Sequence, residues 1–308
     1  GELAFVDKAD GDHASGASCV IVPKDLKIAS PGNYIRVNNP KLAFTIAARK
    51  LRSWEPRFDE SRPAISESAD VRSAYIGSFV SIGDDSYIGE GCEIGDGVRI
   101  GRNVTIKKFS VIYPNCVIYD GVEIGYDCVI HAGTVLGSDG FGYVRDENGE
   151  HQQFPQAGTL VIEDNVEIGA NCTIDRGSLG ETRIGAGTKI DNLVHIAHNV
   201  VIGKRVLIAG QSGIAGSSTI GDDVVIAGQV GISDHVRIES GAVIGAKSIV
   251  LSNKVIKKGV WAGIPVQPMD EYKSQLAQLR GIGRLRVSLR RIQKHLGLDP
   301  SAADDTDR

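Results

Sequence analysis

Aliphatic residues recur along most of this chain at a spacing of six, which neither a helix nor an ordinary strand would produce. Isoleucine occupies every sixth position from 76 to 130, then 162, 168 and 174, then every sixth position from 184 to 244, with Val250 and Ile256 closing the series. Such a period means short strands separated by turns, each unit directing one aliphatic side chain inward. Three units close a triangular coil of about eighteen residues, so the pattern predicts a mainly β chain coiled as a parallel β-helix. It has about nine coils and is roughly 43 Å long at about 4.8 Å per coil. Glycine often follows the aliphatic, as in Ile76-Gly77, Ile82-Gly83 and Ile88-Gly89, and reads as the residue that turns the corner. Handedness does not follow from the period.

The flanks obey other rules. Residues 1–60 lack the six-residue period and read as a small α/β domain. It has a strand at Cys19 to Pro23, another near Tyr34 to Val37, and a helix from about Pro40 to Leu51 with Leu42, Ala43, Ile46, Ala47 and Leu51 on one face. The opening looks N-terminally truncated. A linker rich in Pro, Ser and Glu, Trp54 to Ser68, leads into the coiled domain at 61–268. That domain is interrupted twice: by a polar, aromatic stretch between Ile130 and Ile162, and by four extra residues near Asp175-Arg176-Gly177-Ser178 that a bulge would absorb. Both interruptions are candidate substrate loops, and tolerated surface insertion is the alternative. Two prolines in Trp261 to Pro268 stop regular pairing. Within 269–308, two short helices follow, about Asp270 to Arg280 and Arg284 to Leu296, divided by Gly281 and Gly283, and then a disordered tail. Leu285, Leu289, Ile292 and Leu296 form an apolar seam on the second helix, opposite a basic face that is either merely solvated or a dock for an acidic partner.

Composition narrows the class. The 38 glycines beside 6% aromatics suit a thin solenoid, and a net charge of −4 disfavours a nucleic-acid binder. No apolar run approaches a membrane span. Cys92, Cys116, Cys128 and Cys172 each fall four places after a repeat isoleucine, a slot that Ser86, Val98, Ser110 and Val122 also fill. They read as small packing residues with no metal or disulfide role, in keeping with a reduced, cytoplasmic setting.

Candidate chemistry lies where the repeat carries unusual side chains. Residues eighteen apart stack, so His198, Gly216 and Asp234 form a column with His235 beside it, about 10 Å from His198. A neutral imidazole is a suitable general base, and a glycine one coil away can offer its backbone N–H to a developing oxyanion. Together they are the minimum for acyl transfer to an amine or hydroxyl. Asp191 lies one face earlier, either fixing a tautomer or holding an ammonium group, or as a corner residue bonding local backbone.

The hexapeptide pattern with this loop, the run Ile196-Ala-His-Asn-Val-Val-Ile-Gly203, the segment Gly137-Ser-Asp-Gly-Phe-Gly-Tyr143 and Thr173-Ile-Asp-Arg-Gly177 closely resemble the UDP-3-O-(3-hydroxyacyl)glucosamine N-acyltransferases of lipid A biosynthesis, over about 60 to 268. The resemblance implies a left-handed parallel β-helix. It implies a cytoplasmic homotrimer of a Gram-negative type bacterium, with sites in the clefts between prisms. The reaction implied is transfer of an (R)-3-hydroxyacyl chain from acyl carrier protein to the 2-amino group of UDP-3-O-acylglucosamine. No cofactor is needed beyond the phosphopantetheine that arrives with the donor. His198 matches the general base and Gly216 the oxyanion donor; Asp191, Asn192 and His235 match polar residues of the cleft; Phe141 and Arg176 would help form the nucleotide-sugar and acyl region. The basic C-terminal helix would meet acyl carrier protein. In the uracil pocket, Phe5 matches the family's aromatic, whereas Lys8 and Gly11 stand where an Asn and a Tyr are expected. Phe5 therefore either stacks a base or fills the small domain's core. Alternatives are the O-acyltransferase acting on UDP-N-acetylglucosamine, a sugar-nucleotide N-acetyltransferase, a γ-type carbonic anhydrase, for which His195, His198 and His235 lack the ligand spacing, and a non-catalytic scaffold.

Overall fold

The structure, a computed structural model, describes residues 2–6, 17–28, 32–51, 64–72 and 74–298. Lys8, Gly11, most of the linker and the C-terminal tail lie outside the described residues. Among the described residues the repeat region coils into three sheets of 10, 11 and 9 strands, parallel except for the last strand of the 11, each coil giving one short strand to each sheet. Register advances by one coil at a time: Ile100 lies beside Ile118, Ile196 beside Ile214, and Ile214 beside Ile232. This agrees with the expected left-handed parallel β-helix. It is about a coil longer than the repeat predicted, because Asp70–Val71 and Val260–Ala262 extend the ladder beyond the last aliphatics of the series.

The ladder isoleucines from Ile82 to Ile256 are buried and form one continuous core. A second residue per unit, four places after each isoleucine, also points inward, and there Val, Cys, Ser and Thr alternate. The hydroxyls at this position tie neighbouring coils together. Ser110 donates to the Gly125 carbonyl at 2.9 Å and accepts the Cys128 N–H at 3.0 Å, and Thr188 does the same with Gly203 and Val206. The cysteines occupy the same slot, with Cys92 and Cys172 each 3.1 Å from a carbonyl of the next coil. Burial pushes these thiols up, Cys116 to about 11, and all five cysteines are free.

The corners are turned differently from the expectation. The glycine that often follows an isoleucine does not carry the positive φ; the residue three after the isoleucine does, as at Asn103 (φ 54°), Asn199 (φ 59°) and Gly91 (φ 73°). The first glycine is needed for a different reason: a Cβ on Gly83 would come within 2.6 Å of the Gly101 carbonyl oxygen on the next coil. Close approach of stacked backbones, not turning, selects it.

The two insertions leave the prism at one place. A register shift between Leu136 and Ser138, opposite Thr173–Asp175, marks the bulge. Residues 139–158 then run outward into an antiparallel hairpin, Tyr143–Arg145 with His151–Gln153. Strands Leu3–Phe5, Cys19–Pro23 and Tyr34–Val37 form a parallel sheet, covered by helix α1 (Pro40–Leu51). Helix α1 buries Leu42, Phe44 and Thr45 and leaves Ile46 and Leu51 exposed, so the expected apolar face is corrected. The reason is the aromatic cluster of Phe5, Phe44 and Phe154, which pins α1 to the hairpin along a different stripe.

At the far end Gln267–Pro268 pairs antiparallel with Val260–Ala262, capping the last edge despite the prolines. Helix α2 (Met269–His295) then runs unbroken for 27 residues. The two predicted helices are one: Gly281 and Gly283 cost about 1 kcal/mol each but do not stop a helix whose other residues favour it. It buries no residue, and Leu285, Leu289, Ile292 and Leu296 are exposed. No helix of the described residues is long and apolar enough to cross a membrane.

Candidate active site

The column predicted from the period is present. A groove of about 700 Å³ on one face of the prism is lined by His195, His198, Gly216, Asp234 and His235, with Phe141 of the outer loop over it. The His198 imidazole lies flat against Gly216: a Cβ there would sit 2.7 Å from Cε1 and 2.8 Å from Nε2. The other side of His198 is closed by Gly140, where a Cβ would sit 2.7 Å from the His198 Cβ. Glycine is therefore required on both sides of one ring.

Several backbone N–H groups two places after a ladder isoleucine are capped by a side chain of the next coil. Arg102 N–H meets Asp120, Ala170 N–H meets Asn192 and Lys204 N–H meets Asp222. Gly216 occupies the same position, but Asp234 on the next coil accepts the Ser252 hydroxyl instead. Among the described residues no acceptor meets the Gly216 N–H. The Ser252 hydroxyl holds the Asp234 carboxyl below the usual range, so it stays ionised and acceptor-only.

The other site candidates divide. His235 is exposed at a corner with φ 54°, its N–H donating to the Gly216 carbonyl at 3.2 Å. Asp191 and Asn192 line a second groove, of about 730 Å³, with His131, Glu167 and Lys189. Asp191 accepts the Gly210 and Asn192 N–H groups at 2.9 and 2.7 Å, so its carboxylate bonds local backbone and does not reach His198 of the same chain. Arg176 is buried, its guanidinium donating to the Gly137 and Asp120 carbonyls at 2.8 and 2.6 Å, at the base of the outer loop. Phe5 packs in the cluster with Phe44 and Phe154, at 4.9 and 5.9 Å.

Two groups near the groove were missed in the sequence. Asp175 is buried beside His195, 3.8 Å from Nε2, and accepts the Ser138 hydroxyl at 2.8 Å. Burial pushes its carboxyl above the usual range. Ser178 lies 3.3 Å from His198 Nδ1. Both fall in the four-residue insertion, the signal that could have pointed to them.

Models of two repeat families match: bacterial transferase hexapeptide (six repeats) at 73–108 and 181–216, and hexapeptide repeat of succinyl-transferase at 114–138 and 159–192. The UDP-3-O-acylglucosamine N-acyltransferase of Coxiella burnetii is 36% identical over 301 residues, covering 96% of this chain and 88% of that protein. The one of Desulfotalea psychrophila is 38% identical over 305 residues, covering 96% and 87%. This chain belongs to the UDP-3-O-acylglucosamine N-acyltransferase family. As a member, it is an N-acyltransferase of lipid A biosynthesis. A crystal structure of UDP-N-acetylglucosamine acyltransferase superposes with a TM-score of 0.51 at 23% identity, covering 74% of this chain and 83% of that one, which speaks for the shared fold alone.

Proposed function

We propose that this enzyme transfers an (R)-3-hydroxyacyl group from the phosphopantetheine thioester of acyl carrier protein to the 2-amino group of UDP-3-O-(3-hydroxyacyl)glucosamine, with His198 as general base. The observation that carries this reading is the contact of the His198 ring with Gly216, whose N–H meets no acceptor among the described residues and borders the groove. The amine nitrogen attacks the thioester carbonyl carbon while His198 accepts a proton from it. The carbonyl oxygen gains the electron pair and is met by the Gly216 N–H. The tetrahedral intermediate then expels the pantetheine sulfur, which leaves as thiol with the proton returned by His198, and the new bond is an amide.

The remaining parts follow the same reading. Asp191 and Asn192 sit on a different groove from His198, so a homotrimer with clefts between prisms is the arrangement that brings the two linings together. His235 and Phe141 would flank the nucleotide sugar, Arg176 would support the loop that carries Phe141, and Phe5 would offer a face to the uracil. Acyl carrier protein would meet the basic side of α2, with the reaction in the cytoplasm. No cofactor is required. Incubation with hydroxyacyl carrier proteins of several chain lengths and UDP-3-O-acylglucosamine, read by mass spectrometry, is expected to give the N-acylated product. His198→Ala is expected to lose it while its oligomeric state stays that of the parent; near-normal turnover in that variant refutes the assignment.

A further inference from the structure

The two insertions converge on the Nδ1 edge of His198, and the hydrogen bonds there admit only one arrangement of protons. The side-chain amide of Gln156, from the longer insertion, donates to the Phe154 carbonyl at 3.1 Å, an oxygen that can only accept. That fixes Gln156 Oε1 as the end facing Ser178, whose hydroxyl donates to it at 3.1 Å. With its proton so placed, the Ser178 oxygen can only accept from Nδ1 of His198 at 3.3 Å. Asn199 is fixed in the same way: its Oδ1 accepts the Ser178 backbone N–H at 3.0 Å and lies 3.1 Å from the same Nδ1. Two oxygens, both obliged to accept, thus face one ring nitrogen.

We infer that Ser178 and Asn199, backed by Gln156, are positioning residues that keep the His198 imidazole protonated on Nδ1 and unprotonated on Nε2, aimed over Gly216. A neutral imidazole carries one N–H, so a donor at Nδ1 leaves the lone pair at Nε2. Nε2 meets no hydrogen-bond partner among the described residues and faces the groove wall at Gly216. Gly140 of the longer insertion packs on the same side chain, so both insertions act as a clamp on the base as well as a rim of the groove. This deepens the base role of His198 and rests on it; the role of a carboxylate that fixes a catalytic histidine's tautomer in other enzymes is filled here by a hydroxyl and an amide oxygen.

The test uses full-length enzyme labelled with ¹⁵N-histidine, with His198→Ala to assign the resonance. Nδ1 of His198 is expected to be the protonated nitrogen in the parent. In Ser178→Ala/Asn199→Gly the ring is expected to shift toward the Nε2-protonated form; glycine is chosen because it keeps the φ of 59° without strain. The same double variant is expected to lose about 10- to 100-fold in kcat, with the KM for the UDP-sugar nearly unchanged, and Ser178→Thr to retain most of the activity by keeping the hydroxyl. An Nε2-protonated ring in the parent, or a double variant with parental kcat, overturns the clamp. If the double variant does not fold, the parent spectrum and the Ser178→Ala and Ser178→Thr pair decide. An inactive His198→Ala beside a fully active double variant defeats the clamp alone, whereas an active His198→Ala defeats the base reading itself.

Discussion

Replacing Gly216 by alanine would place a methyl group 2.7 Å from Cε1 of His198, closer than any relaxed contact, so the ring must move. The expected outcome is a fall of about 10²- to 10³-fold in kcat, the scale for losing one oxyanion donor, with the unfolding midpoint little changed because the position lies on the groove wall and not in the ladder core. Steady-state kinetics beside thermal denaturation separate the two effects. Asp175 gives a test with a defined sign. Burial raises its carboxyl in the folded state, so the ionised form costs stability above the usual aspartate range, and this cost disappears as pH falls below the unfolded value. Asp175→Asn keeps an oxygen for the Ser138 hydroxyl. It is therefore expected to raise the melting temperature at pH 7 to 8, with the gain closing toward pH 3, followed by calorimetry across that range. His195, half exposed 3.8 Å away, offsets only a small part of the cost.

Two positions of the six-residue unit constrain the backbone for two different reasons, and substituting each exposes the difference. Gly83→Ala would force a methyl to 2.6 Å from the Gly101 carbonyl oxygen, a backbone atom that cannot give way. Asn103→Gly sits where φ is 54°, which glycine adopts without penalty. Urea titration is expected to show Gly83→Ala losing about 1 to 3 kcal/mol and Asn103→Gly within about 0.5 kcal/mol of the parent. The period alone placed glycines at corners because glycine often follows the isoleucine and the turn comes within the same unit; only the φ angles separate the turning residue from the closely packed one. Helix α1 gives a similar contrast. Its limits, Pro40–Leu51, were legible, but its buried face was not, since Phe154 lies more than a hundred residues away and nothing local announces that it will pack on Phe44.

At the scale of the molecule, the prism leaves two grooves of similar size on different faces, and α2 leaves an apolar stripe uncovered. The proposed threefold assembly would cover both features. Light scattering is expected to return about three times the chain mass of 32.7 kDa at micromolar concentration, and a monomer there would contradict it. The six-residue aliphatic period by itself determined the coil, its three faces and the stacking of His198 on Gly216, because a solenoid's contacts are made at a fixed sequence distance and its geometry is therefore written in the spacing. Only the tertiary structure decided what surrounds that histidine. Gln156, Ser178 and Asp175 belong to insertions that break the period, and where such segments fold back depends on packing against distant residues that no local pattern encodes.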